Sequence, residues 1–438
     1  MVTTGIEPLP AAEQVLLRDV WVVAAPHQPP RRRDVLLDGP RIGDWSTPGG
    51  LAVGEATPVV AAADLWLGPS LVDPHSHLEE AHGLVDNLSR LAEEALRGGY
   101  GAVALSPQAT PWRDRPQELI TGRHHGLELL SWGSFSAGGA GQDFSDHGAL
   151  LAAGAVGLAE ESCHGHPQLL FRGLQWQADA HRRGEGSPLA VAPRDPRLQA
   201  GGMAREGADA LRLGLPTDPV ASELLPLQQL LQAAGLVDGA TGLRLLNVST
   251  AAAVACLQRH PHHPMAAAVH WWHLVEDTSG LGRLSDSWRV QPSLGSRRDR
   301  QALLAAVQQG LITCITVNHR AIDHHQQLWP VEERPAGLAG YAHVLPLLWK
   351  ALVEDLSLPV EKLWRLLCWG PRQFLGQPPD TLAPGSDRWL LFSPNDPWIL
   401  PRQVAERGGG NRPWPGRTVQ GRVVASGLAS GRWLAKPR

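Results

Sequence analysis

The sequence predicts an α/β protein: a (β/α)8 TIM-like barrel with a small β-sandwich domain built from both chain ends. Three observations predict it. Eight short apolar runs alternate with helix-like stretches through the middle of the chain, blocks of period-two alternation flank them, and a His-x-His pair closes the first run. At 438 residues the chain can bury a large core. The expected division is a β domain from residues 1–67 and 383–438 around a barrel of residues 68–382.

The N-terminal block opens with Val15-Leu16-Leu17-Arg18-Asp19-Val20-Trp21-Val22-Val23 and continues with Asp34-Val35-Leu36-Leu37-Asp38-Gly39-Pro40. Alternation punctuated by Gly and Pro argues for strands and turns. Barrel strands are expected at 70–77, 102–107, 129–135, 155–160, 189–193, 243–249, 266–271 and 311–317. Between the first two, residues 87–96 read as a helix that Gly98-Gly99 would stop. Alternating strands and helices over about 250 residues imply a closed parallel barrel. From Asp387 strands return, in Arg388-Trp389-Leu390-Leu391-Phe392 and Thr418-Val419-Gln420-Gly421-Arg422-Val423-Val424, and these are expected to pair with the N-terminal ones.

The first barrel strand ends in Leu71-Val72-Asp73-Pro74-His75-Ser76-His77-Leu78. Side chains in a strand repeat every two residues, so His75 and His77 share a side, at the rim where barrels keep their chemistry. Neutral imidazoles so placed suit one zinc ion. The alternative is a pair of hydrogen-bonded core histidines without metal.

Composition excludes several classes. Lys+Arg 39 against Asp+Glu 43 gives a net charge of −4, which suggests neither a nucleic-acid groove nor an anionic membrane surface. No apolar stretch reaches the roughly 18 to 20 residues of a membrane span. The first residues lack the basic-then-apolar layout of a signal peptide. Cys163, Cys256, Cys314 and Cys368 form no CxxC pair, as expected of a cytoplasmic protein. Seventeen Trp against two Tyr and five Phe is unusual, and core filling is the expected use.

Further segments carry a resemblance: Gly68-Pro69-Ser70 before the His-x-His strand, Pro107-Gln108-Ala109-Thr110, Asn247-Val248-Ser249-Thr250, Pro292-Ser293-Leu294 and Asn318-His319. With them, over nearly its full length, the chain resembles the dihydroorotase branch of the cyclic-amide hydrolases in the amidohydrolase superfamily. The resemblance implies a metal-bearing (β/α)8 barrel beside a small β domain. It also implies the interconversion of carbamoyl-aspartate and dihydroorotate in pyrimidine synthesis.

Carried over residue by residue, the resemblance places metal ligands at His75 and His77, with Glu161 of Glu160-Glu161 as the strand-four acid. Family members have a histidine where this chain has Ala192, in Ala192-Pro193-Arg194-Asp195, and another where it has Asn247. Alanine offers no donor atom, and an amide oxygen is a poor zinc ligand beside imidazole. The family's catalytic aspartate falls at Asn318, and an amide has no usable pKa for a general base. The arginine that grips the substrate carboxylate is replaced by Glu79, and the substrate-binding asparagine by Gln108.

These departures set the functional expectation: a dihydroorotase-family protein, catalytically impaired or inactive, kept as a structural or regulatory homologue with aspartate transcarbamoylase or its own copy as partner. The alternative is an active hydrolase of a cyclic amide with a rebuilt site and one zinc per chain at most. Cys163, His164, His166 and His319 are then possible extra ligands. Glu160 reads as a surface or helix-start carboxylate, His270 and His273 as packing residues, and His262-His263 as exposed.

Overall fold

The computed structural model describes residues 9–78, 80, 83–163, 165–239, 242–260, 265–283, 289–322, 324–400, 411–428 and 431–434. Eight parallel segments form a barrel. They are β1 (Leu71–Ser76), β2 (Tyr100–Leu105), β3 (Leu127–Ser131, prolonged by Gly133–Ser134), β4 (Leu158–Glu160), β5 (Leu189–Val191), β6 (Leu243–Leu245), β7 (Ala266–His270) and β8 (Cys314–Thr316). The ends meet where the Asn318 amide donates to the His75 carbonyl at 3.0 Å and the His77 amide to the His319 carbonyl at 2.8 Å. Asp73, fully buried between these strands, accepts from the Val317 amide at 3.0 Å and from the Tyr341 hydroxyl at 2.7 Å.

Residue size explains how the barrel is filled. Ala102, Ala104, Ala159, Ala190 and Ala268 pack in one interior cluster with Trp132 and Phe374, whose rings meet edge to face at 6.3 Å. Their strand neighbours Val103, Leu105, Leu158, Leu189, Val191 and Val269 belong to the larger core shared with the helices. Small residues inward and branched residues outward follow from period-two alternation in a narrow barrel. The helix expected at 87–96 runs Leu84–Arg97; Gly98 remains right-handed, and Gly99, at φ +78°, makes the turn.

Both chain ends build an eight-stranded sheet. Its order is Gly431–Leu434, Thr418–Leu428, Trp389–Ile399, Trp66–Pro69, Gln14–Val22, Arg31–Asp38 and Arg41–Ser46, with Val59–Ala61 also beside Gln14–Val22. Val15, Leu17, Val35 and Leu37 share one core with Leu67, Trp389, Leu391 and Ala425. Gly68 lets the sheet meet the barrel. A Cβ there would lie 2.2 Å from the Trp364 indole nitrogen, which donates to the Pro69 carbonyl at 3.1 Å. Among the described residues no helix is long and apolar enough to cross a membrane.

Candidate functional site

The C-terminal ends of β1, β2, β4, β5, β6, β7 and β8 surround an open-mouthed cavity of about 590 Å3, counting the solvent space at its mouth. His75, His77, Gln108, Glu161, Ala192, Asn247 and Asn318 all line it, so the positions singled out in the sequence converge on one place. Glu79 lies outside the described residues.

Glu161 organises the centre. Its Oε1 lies 2.8 Å from His75 Nε2 and also accepts from the Ser106 hydroxyl. Burial would raise its pKa, but the His75 imidazole and the Ser106 hydroxyl hold the carboxyl well below the usual carboxylate range. For His75 the balance runs the other way: burial opposes protonation, and the Glu161 carboxylate outweighs it and raises the imidazole pKa. His77 gains less from Glu161, and burial lowers it to about 3, leaving it neutral.

Both amide positions are hydrogen-bonded to their neighbours. Asn318 Oδ1 faces His75 Nδ1 at 3.1 Å, and its Nδ2 donates to the Gln291 carbonyl at 2.7 Å. Asn247 Oδ1 accepts from the Thr316 hydroxyl at 2.5 Å. Both asparagines have left-handed backbones, at φ +52° for Asn247 and +48° for Asn318. Asparagine is one of the few side chains that enters this region readily.

Several expectations change on the structure. Glu160 is not a surface group: it is 7% exposed, lines a second, largely apolar cavity of about 410 Å3, and burial raises its pKa to about 7. Cys163 and His166 line that second cavity and do not join His75 and His77; His164 and the His262-His263 pair are outside the described residues. The Cys163 thiol donates to the Ala192 carbonyl, and burial pushes its pKa to about 12. His319 is buried against Tyr341, with ring centroids 4.9 Å apart. His270, read as a packing residue, lines the main cavity, and among the described residues its Nε2 has no hydrogen-bond partner. Arg194, Arg205, Glu223 and Arg320 also line the cavity, although the motif reading gave none of them a role.

No family model matches the sequence. A probable dihydroorotase-like protein of Synechocystis sp. is 32% identical over 404 residues, covering 84% of this chain and 89% of that one. The chain belongs to the dihydroorotase-like cyclic amidohydrolases. The dihydroorotase of Mycobacterium leprae, 27% identical over 440 residues, aligns with 96% of this dihydroorotase-like chain and 98% of its own. An L-hydantoinase (dihydropyrimidinase) from Arthrobacter aurescens superposes with a TM-score of 0.75 at 18% identity, covering 97% of this chain and 96% of that one. A D-hydantoinase from Thermus sp. superposes at 0.71 with 15% identity, covering 97% of both chains. These two likenesses show the fold: a TIM-type barrel with a β-rich domain.

The donor set decides how much metal the dihydroorotase-like site can hold. Among the described residues, His75, His77 and Glu161 are the one group of three potential ligands that converges, with donor atoms within 4.8 Å of one another. Two imidazoles and a carboxylate suit one zinc ion with a position left open. Among the described residues a second ion finds no comparable set, since Ala192 has no donor and the Asn247 oxygen is engaged by Thr316.

Proposed function

We propose that this dihydroorotase-like barrel does not interconvert carbamoyl-aspartate and dihydroorotate at a useful rate. It serves instead as a structural or regulatory homologue, assembling with its own copy or with aspartate transcarbamoylase. The observation that carries this reading is Asn318. Where the family resemblance calls for a carboxylate that moves a proton, an amide donates to the Gln291 carbonyl and faces His75. An amide offers no proton-accepting state near neutral pH. Ala192, Asn247 and Glu79 point the same way by removing ligands and reversing the charge of the substrate clamp. Four unpaired cysteines support a reducing cytoplasm as its compartment.

The test is a dihydroorotase assay in both directions on protein expressed with zinc and purified without chelators. The expected result is no turnover above the blank, together with a stable complex in sedimentation, either of the chain with itself or with aspartate transcarbamoylase from the same organism. Turnover that disappears in His75→Ala would refute the proposal.

The convergence of His75, His77 and Glu161 favours a second reading, a hydrolase with one rebuilt metal position. When bound, zinc would polarise a carbonyl and bring the pKa of a bound water towards about 7. The three residues would hold it, with Ser106 fixing the orientation of the Glu161 carboxylate. Elemental analysis separates the readings. One equivalent of zinc, lost in His75→Ala, supports the rebuilt site, and essentially none rules it out.

A further inference from the structure

Two guanidinium groups at the barrel mouth remain without a role in that proposal. Arg194 follows β5, two residues past Ala192, and Arg320 follows β8, two residues past Asn318. Both line the main cavity beside Glu161. Arg320, with His77 and Gln108, also lines an adjoining open depression of about 950 Å3, so it stands between solvent and the inner cavity.

Among the described residues, neither guanidinium makes an ion pair. Arg194 Nη2 donates to the backbone carbonyl of Glu161 at 2.9 Å, and the Gln291 side-chain amide lies beside the guanidinium. Both neighbours are uncharged. Among the described residues, the Arg320 guanidinium makes no hydrogen bond and has no carboxylate within ion-pair distance. The acids that face these arginines have partners of their own: Glu161 faces His75, Asp218 pairs with Arg205, and Glu80, which keeps its charge near Arg320, accepts from the Thr110 amide at 2.6 Å. Arg205 provides the contrast on the same wall. It pairs with Asp218 at 3.1 Å and Glu223 at 3.7 Å and donates to two serine hydroxyls.

We infer that Arg194 and Arg320 form an anion-binding subsite through which the cavity takes a small molecule bearing carboxylate or phosphate groups. The planar guanidinium fork matches either oxyanion, and two cations from different strand ends favour a ligand with two negative charges. Burial lowers both guanidinium pKa values, with nearby acids opposing it, so a ligand oxyanion would supply solvation that the protein withholds. The positive pole then comes from the ends of β5 and β8, whereas the resemblance places the family's arginine at the position of Glu79. The inference rests on this cavity being the chain's ligand site and is independent of turnover.

Calorimetry on chelator-treated full-length protein, at neutral pH and low salt, tests it with acetate, malonate and inorganic phosphate as probes. The expected result is binding of malonate or phosphate, weakened by added salt, with acetate much weaker. Arg194→Gln and Arg320→Gln should each reduce affinity about tenfold or more. Arg115→Gln, which removes an exposed arginine, should leave it unchanged. Preference for malonate assigns a carboxylate ligand, and preference for phosphate assigns a phosphate ester. Arg194→Lys, which keeps the charge and loses the fork, covers misfolding of the glutamine variant and should fall between it and wild type. No binding of any probe, equal binding by Arg320→Gln, or acetate binding as tightly as the dianions would overturn the inference. Because no probe is a substrate, such a failure leaves the proposal on turnover standing, and absent turnover leaves this one standing.

Discussion

At the end of β4 two adjacent glutamates are sent to opposite sides of the wall, Glu160 into the apolar cavity and Glu161 into the barrel mouth. Period-two alternation requires that separation, and it gives the same residue type two ionisation states. Glu161 is held ionised against burial by His75 and Ser106, and His75 is raised by Glu161. The sign of the pH dependence follows. The depressed carboxyl contributes stability above its unfolded value of 4.5 and loses it as pH falls through the lower folded value. The raised imidazole contributes fully below 6.5 and loses its share as pH rises through the folded value. In chelated protein, Glu161→Gln should therefore cost most between pH 4.5 and 6.5 and less on either side. Breaking a buried pair gives a scale of roughly 3 kcal/mol at the maximum. Urea denaturation from pH 3 to 9 measures this, and a difference that stays flat across pH would sink the argument.

Element boundaries were less legible than the elements themselves. The strands expected at 243–249 and 311–317 are shorter, Leu243–Leu245 and Cys314–Thr316. The apolar run continues beyond each, but Asn247 and Asn318 then adopt left-handed backbones, which hydrophobic pattern does not encode. The β5 candidate 189–193 stops at Val191 before Pro193, a residue with no amide to give a ladder. Asn318→Asp should keep the fold within about 1 kcal/mol, because aspartate shares the tolerance for positive φ. Asn318→Val should cost roughly 2 kcal/mol or more through backbone strain and two lost side-chain contacts. Equal urea midpoints for the two variants would show that this turn is not under conformational constraint. At the barrel–sheet junction, Gly68→Ala drives a methyl into the Trp364 indole and should cost about 1–3 kcal/mol. Gly54→Ala, with nothing within 4 Å, serves as the near-neutral reference.

For the molecule as a whole, alternation and strand count suffice to read a barrel with a β domain, because both depend on long repeated patterns. The site is partly legible: motif residues mark His75, Glu161 and Asn318, but only the three-dimensional arrangement brings Arg194, Arg320 and His270 to the same cavity. The joining of the chain ends is another long-range relation, and it carries a test. Trp389–Ile399 lies between Trp66–Pro69 and Thr418–Leu428, and the Trp389 indole donates to the Pro40 carbonyl at 2.8 Å. Arg388 extends the same segment to the barrel, through the Gly101 carbonyl at 3.0 Å and Glu128 at 2.9 Å. A chain ending at residue 386 would leave Trp66–Pro69 as an uncovered strand edge over an opened apolar core, a template for aggregation. It should be insoluble when expressed alone. Co-expression with residues 387–438 should recover a soluble complex that copurifies, because the pairing is noncovalent and needs no continuous chain between the fragments. A soluble, cooperatively unfolding 1–386 fragment as stable as the full chain would instead make the C-terminal strands a detachable cover, and their contacts with Pro40, Gly101 and Glu128 would then contribute nothing to the fold.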